Sequence, residues 1–379
     1  MRIGLISSGY PPDLDGIGDY TWWLAKTLAE RPEITKPVTV FTRVGAEHTK
    51  SEGVKVIPFF DPLRPKSFRD LLGTPAVNDL DWLVLQYNPF GFGRWGYCPW
   101  VPETLALLKR TQKRPRIAVM FHETVVPRWP WKFALMYCWQ QPIFRSICRT
   151  ADVAFVSTER WTPQVKCASP NLPVHHLPVG SNVPLSEISH ADARQRCGLE
   201  KDALVFGVFG SAHISRRIDW IGATVTAAAR EYNGRRTVLL YVGAQGEILR
   251  RSCPHADFID AGRLPAEDIS RYLRTMDAVI SPFLDGISTR RTSVISVLHH
   301  GVPVATSRSP WTDDLFVIDT PAGLLLSRAA SAEDFARETL DWMRLLPDRG
   351  IPDAEITAFY DRHFQWPTIS ATMIRHLTT

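Results

Sequence analysis

Short runs of β-branched and aliphatic residues alternate with helix-period segments along almost the whole chain, and this alternation limits the fold more than any other feature. In the first half the runs are Ile3–Ser7, Val38–Phe41, Val54–Phe59, Trp82–Tyr87, Arg116–Phe121, Val153–Val156 and Val174–Leu177. Trp82-Leu83-Val84-Leu85 is apolar on both faces, as a strand must be when helices cover its sheet on each side. Residues 179–204 carry no strand pattern, only Pro-Val-Gly-Ser-Asn-Val-Pro and a polar helix around Ala191–Cys197. A second series then runs through Leu204–Phe209, Thr237–Val242, Phe258–Ala261, Ala278–Ser281, Val302–Thr306 and Gly323–Leu326.

The expected fold class is therefore α/β, with two Rossmann-like domains facing across a cleft. The junction is placed near Pro184: residues 1–183 form an N-terminal domain and 184–358 a second. A helical tail, 359–379, is expected to pack back on the first. Open parallel sheets collect ligands beyond the carboxyl ends of their strands, which directs attention to the loops there.

Composition narrows the class. A length of 379 residues fits two domains, and 45% hydrophobic with 22% charged residues is globular rather than disordered. No run approaches the ~18 apolar residues of a membrane span, and no charged-then-apolar leader precedes the first strand. The six cysteines are scattered without a C-x-x-C pair, which is read as reduced thiols with no zinc site. A cytoplasmic protein is expected. A net charge of +5 suits phosphate ligands or an anionic membrane face and is weak support for nucleic acid, so none is expected.

The first strand leads into Ser8-Gly9-Tyr10-Pro11-Pro12-Asp13, then Asp15-Gly16-Ile17-Gly18-Asp19-Tyr20 and a helix. Gly16 and Gly18 allow close backbone approach, and a helix start offers free N–H groups to an anion. The spacing is not G-x-G-x-x-G, so no dinucleotide site is expected. The plain alternative is a tight strand-to-helix turn, and a metal role for Asp13 and Asp15 is disfavoured.

The Tyr-Pro-Pro…Gly-Ile-Gly run resembles the opening of family-4-type retaining glycosyltransferases of the GT-B fold. The likeness continues in order through Phe121-His122-Glu123, Phe206-Gly207-Val208-Phe209-Gly210, Phe258…Gly262…Leu264…Tyr272…Asp277-Ala278…Ser281-Pro282 and Gly301-Val302-Pro303-Val304. The resemblance implies a nucleotide-diphosphate sugar as donor, retention of configuration and no obligatory metal or cofactor. It implies that His122 touches the donor sugar, and that the base sits near Arg263 and Leu264. It further implies that the turn after Gly210 holds the pyrophosphate, where Ser211 and Arg216 replace the family's arginine and lysine. Arginine keeps the charge and changes the geometry.

The chain departs from the family where paired glutamates are usual: Ser288 and Ser296 stand there instead. Asp285-Gly286 leads into a helix start bearing Ser288, Arg290, Arg291 and Ser293, hydroxyls and guanidiniums suited to a pyrophosphate. Asp285 is the candidate replacement for the missing carboxylate, with His122 the second catalytic candidate. Asp19, Tyr20 and Tyr87 are the acceptor-side candidates. The alternatives are a salt-bridged cap in a non-catalytic sensor or scaffold, or a nucleotide-sugar epimerase on the same fold.

One segment stands apart: Trp129-Pro130-Trp131-Lys132-Phe133 through Trp139 to Arg145 and Arg149, in a chain with 13 tryptophans. Interleaved rings and cations suit a membrane interface, an acceptor groove or a packed core helix. The expected partners are thus a nucleotide-diphosphate sugar, a glycan, lipid-linked or small-molecule acceptor, and a peripheral membrane surface.

Overall fold

Each of the thirteen apolar runs forms a strand in the computed structural model, with ends shifted by a residue or so; it describes residues 1–13, 15–45, 48–111, 115–254, 256–346 and 351–379. The chain divides into two units, Met1–Pro178 with Trp366–Thr379, and Val179–Gln365. The first boundary thus lies ahead of the expected Pro184, and the second falls at Gln365/Trp366 rather than before Phe359.

The first unit contains β1 (Ile3–Ile6), α1 (Gly16–Ala29), β2 (Val38–Arg43), β3 (Val54–Phe60), β4 (Trp82–Tyr87), α2 (Trp100–Leu108), β5 (Arg116–Phe121), α3 (Trp131–Thr150), β6 (Val153–Val156), α4 (Thr162–Ala168) and β7 (Val174–His176). Its sheet has the order β3-β2-β1-β4-β5-β6-β7, with parallel neighbours throughout. The order reverses between β1 and β4.

The second unit contains α5 (His190–Arg196), β8 (Leu204–Phe209), α6 (Ile218–Glu231), β9 (Thr237–Val242), α7 (Gly246–Ser252), β10 (Asp257–Asp260), α8 (Ala266–Leu273), β11 (Ala278–Ser281), α9 (Thr292–His299), β12 (Val304–Ser307), α10 (Asp314–Ile318), β13 (Leu324–Ser327), α11 (Ala332–Leu345) and α12 (Ala354–His363). Its parallel sheet has the order β10-β9-β8-β11-β12-β13, reversing between β8 and β11. β4, β9 and β11 are buried at every position, the consequence of helices covering both faces.

The last helix, α13 (Trp366–Thr378), belongs to the first unit. Trp366 stacks on Trp23 of α1 with ring centroids 6.2 Å apart and meets Tyr20 edge-on at 5.2 Å. The aromatic residues just before it stay in the second unit, where Tyr360 stacks on His299 at 4.2 Å and Phe364 on Phe316 at 5.8 Å. Among the described residues no helix is long and apolar enough to cross a membrane, and all six cysteines are free.

Candidate active site

The strand order of an open parallel sheet reverses where two neighbouring loops diverge and leave a crevice. In the second unit that place lies beyond β8 and β11, and the loops there carry most of the residues expected to hold an anion. β8 ends at Phe209 and turns at Gly210, whose φ of +96° is open to glycine and strained for other residues. A Cβ at Gly210 would lie 3.0 Å from the Ser293 Cβ and 3.6 Å from the Arg216 Nη2. The turn after β8, the Arg216 side chain and the first turn of α9 therefore meet at one point.

Arg216 is buried, 6% exposed. Its Nη1 donates to Ser281 Oγ at 2.9 Å and its Nη2 to the Phe209 carbonyl at 2.9 Å, tying the ends of β8 and β11 together. Its guanidinium lies 5.1 Å from the centroid of Phe283, and that of Arg291 lies 4.1 Å from the same ring. Arg291 Nη1 donates to Ser215 Oγ at 3.1 Å. Burial pulls both guanidiniums down to about 10, and for Arg291 the neighbouring Arg290 cation adds to it; both remain charged at neutral pH.

Asp285 is not an open carboxylate. Its Oδ1 accepts from Arg291 Nη2 at 2.5 Å and its Oδ2 from Arg290 Nη2 at 3.2 Å. Both oxygens of the carboxylate expected to grip sugar hydroxyls are thus paired with guanidiniums in this structure. Ser288 is buried in the same loop, and Thr289 is pinned through its backbone N–H and Oγ1 to Asp313 at 2.7 and 2.8 Å. Ile287 N–H donates to the Ser307 carbonyl and Phe283 N–H to Ser307 Oγ, so β12 fixes the loop from its other side. α9 begins without a side-chain cap. Ser296, at the second position where the family carries glutamate, is buried and accepts from Ser181 Oγ at 3.1 Å, a packing role.

Three buried donors here have no partner among the described residues: Ser288 Oγ, Arg216 Nε and Arg291 Nε. Buried polar groups are satisfied in the great majority of cases, so three orphans beside two cations and an uncapped helix start mark a place that favours an anion. Ser211 is exposed beside Gly210. Farther along the strand ends, Gly262 carbonyl accepts from Gly243 N–H, followed by the exposed Arg263 and the half-buried Leu264.

In the first unit the corresponding reversal lies beyond β1 and β4. The start of α1 is already filled: Asp15 accepts from Ile17 N–H at 3.3 Å and Gly18 N–H at 3.2 Å. This is ordinary N-capping and corrects the expectation of an anion at Gly16 and Gly18. Gly18 is required by packing instead, since a Cβ would lie 3.0 Å from the Gly9 carbonyl carbon and the Tyr10 nitrogen. Asp13 pairs with Arg43 at 2.9 Å, and that hydrogen-bonded cation holds its carboxyl below the usual range. Among the described residues no group of three His, Cys, Asp or Glu is placed to hold a metal ion.

His122 follows β5 and is half-buried; its Nε2 donates to Gln86 Oε1 at 2.8 Å, which leaves Nδ1 as an acceptor. Burial pushes its pKa down to about 3, so the ring is neutral at working pH. Tyr20 packs edge-on against it at 4.7 Å and is itself buried, only 4% exposed. Tyr87 is fully buried against Phe121 in the core. The surface expected of these two tyrosines for an acceptor is absent, because alternate positions of a covered strand and the inner face of α1 are both interior. Asp19 is half-buried on α1, with its N–H on the Asp15 carbonyl.

Phe283, Ser215, Ser281 and Gln86 complete these clusters without having been expected in them. Ser281 ends a run that carried the resemblance and Phe283 follows it, yet nothing local shows that one ring serves two guanidiniums brought from separate loops.

No protein-family profile matches the sequence, and no curated protein matches it. Solved structures do. Sucrose-phosphate synthase from Thermosynechococcus elongatus superposes with a TM-score of 0.71 at 16% identity, covering 99% of this chain and 98% of that one. Anabaena HepE, solved in complex with UDP and glucose, gives 0.69 at 12% identity with 100% of each chain covered. WaaG, a glycosyltransferase of lipopolysaccharide biosynthesis, gives 0.64 at 13% identity with 99% of each covered. With two parallel-sheet units, and superposition on these structures over the whole chain, the protein has the GT-B fold.

Proposed function

We propose that the protein transfers a sugar from a nucleotide-diphosphate sugar to an acceptor with retention of configuration. The observation that carries this reading is the orphaned, cationic pocket beyond β8 and β11, where Ser288 Oγ, Arg216 Nε and Arg291 Nε are buried without partners among the described residues. The nucleotide diphosphates of HepE and of an α,α-trehalose-phosphate synthase described as UDP-forming support the choice of ligand.

In this reading the diphosphate lies at Gly210, Ser211, Arg216, Ser288, Arg290, Arg291, Ser293 and the start of α9, with the base near Arg263 and Leu264. The leaving diphosphate gains negative charge as the glycosidic bond breaks, and fixed guanidiniums offset that charge without reorganising. Asp285 orients Arg290 and Arg291 toward this task. Neutral His122 accepts a hydrogen bond from a sugar hydroxyl through Nδ1, while Gln86 and Tyr20 fix its ring. The acceptor is a glycan or lipid-linked molecule approaching the first unit near Asp19. No protein nucleophile and no metal is assigned.

A binding-only sensor is the second reading, favoured by one observation: serines replace both family glutamates, and Asp285 is paired with arginines. A panel of UDP- and GDP-linked sugars separates the readings. Release of nucleoside diphosphate supports a transferase; tight binding without release supports the sensor, and a new sugar isomer without acceptor supports an epimerase. If Arg216→Ala and Arg291→Ala bind UDP and GDP as the unaltered protein does, the pocket is not the donor site.

A further inference from the structure

The first unit contains a cavity of about 610 Å³ between α3, α4 and residues 124–128. Its wall bears three guanidiniums, Arg128, Arg145 and Arg160, and three rings, Tyr137, Phe144 and Trp161, and among the described residues no carboxylate lines it. Arg128 lies over the Tyr137 ring at 4.7 Å and donates to its hydroxyl at 3.2 Å, which holds one cation at the rim. Arg145 is exposed and has no ion-pair partner among the described residues. A cavity with this lining favours a phosphate-bearing ligand.

The cavity is continuous in sequence and helix with an apolar ridge. Trp129 is 81%, Trp131 68% and Leu135 53% exposed, around the first turns of α3. The Trp95 carbonyl accepts from both Trp139 Nε1 and Gln140 Nε2 at 3.1 Å, which ties the Trp95 turn to the middle of α3. Single exposed apolar residues need no explanation, whereas Trp129, Trp131 and Leu135, all exposed within one short stretch, do. Residues 124–151 contain four basic residues and no acidic one. Tryptophan rings prefer the depth of lipid headgroups, and the cations interleaved with them favour an anionic surface. A small phosphosugar would leave the ridge without purpose, and a neutral lipid would leave the guanidiniums unmatched.

We infer that this cavity binds the phosphate or diphosphate head of an amphiphile whose apolar chain runs over the α3 ridge. Calling that amphiphile the acceptor rests on the transferase reading above; its binding does not.

Farnesyl diphosphate, inorganic pyrophosphate and farnesol are the probes, titrated calorimetrically into the full chain with UDP present. Farnesyl diphosphate is expected to bind about tenfold more tightly than pyrophosphate, a gain of about 1.4 kcal/mol, with farnesol binding more weakly still. The exposed pair Arg128→Ala/Arg145→Ala should lose about tenfold in farnesyl diphosphate affinity, and Trp129→Ser/Trp131→Ser should fall to the level of pyrophosphate. Vesicles of phosphatidylcholine should sediment the protein only when phosphatidic acid is included. Equal affinity for pyrophosphate and farnesyl diphosphate would point to a free phosphate ligand and overturn the proposal, as would equal affinity for farnesol or unchanged binding by the arginine pair. UDP binding is read separately: its absence from the unaltered protein counts against the donor site alone, and its retention in the variants shows that they fold.

Discussion

Asp285 and Arg291 form the ion pair that organises the head of α9: Oδ1 and Nη2 are 2.5 Å apart, Arg290 sits on the other carboxylate oxygen, and Phe283 lies beneath the Arg291 guanidinium. A carboxylate between two cations leaves the cluster, counted with Arg216, at a net positive charge and holds its arms in one geometry. The side chains of Asp285, Arg290 and Arg291 are 17%, 23% and 12% exposed, so solvent screens the pair only in part.

Asp285→Asn should therefore loosen both arginines. The expected stability loss is about 1–3 kcal/mol in urea unfolding, from leaving two cations half-buried with a neutral partner. UDP or GDP affinity should fall by about tenfold in calorimetry. An unchanged affinity would show that Asp285 does not position the diphosphate-binding arms.

Gly210→Ala tests the contact between the β8 turn and α9. The φ of +96° and the 3.0 Å approach to Ser293 Cβ both penalise a side chain. A loss of about 1–3 kcal/mol is expected, read from the urea midpoint at constant slope. Ser293→Gly in the same background should recover part of the steric share and none of the backbone share.

His122 carries the pH prediction for activity. With a pKa near 3 the ring is neutral across the working range, so kcat/KM should show no step near pH 6.5 from this residue. His122→Ala should lower kcat by about a hundredfold with little change in thermal midpoint. A step near pH 6.5 that vanishes in His122→Asn would show the residue titrating and contradict the neutral-acceptor role.

Acid stability depends on His300. It is fully buried, its Nδ1 donates to the Ser296 carbonyl at 2.7 Å and its Nε2 shares a hydrogen bond with Ser270 Oγ at 2.8 Å. Burial pushes its pKa down to about 3. Below about pH 6.5 the unfolded chain takes up a proton that the folded chain refuses, so stability is lost as pH falls from about 6.5 toward about 3. The slope from one such group approaches 1.4 kcal/mol per pH unit. His300→Gln should flatten the dependence of the urea midpoint on pH in that window; an unaltered slope would assign the loss to other groups.

The central strands and their grouping into two series were legible because a covered parallel strand must be apolar on both faces, as β4, β9 and β11 are. The loops that carry Arg216, Arg291 and Ser293 were named in sequence through the resemblance, and the structure sets Arg216 and Ser293 beside the turn at Gly210. What sequence could not decide was which way side chains face and who pairs with whom. Tyr87 and Tyr20 became interior, Asp15 took the α1 N–H groups, and Asp285 closed on two arginines. The exposed tryptophans of α3 read equally well as core, groove or interface until their surroundings were known. Local pattern reports the period and burial of a segment, since those depend on neighbours along the chain. Pairing among distant loops depends on the three-dimensional meeting of β8, β11 and β12, and no short stretch of sequence encodes it.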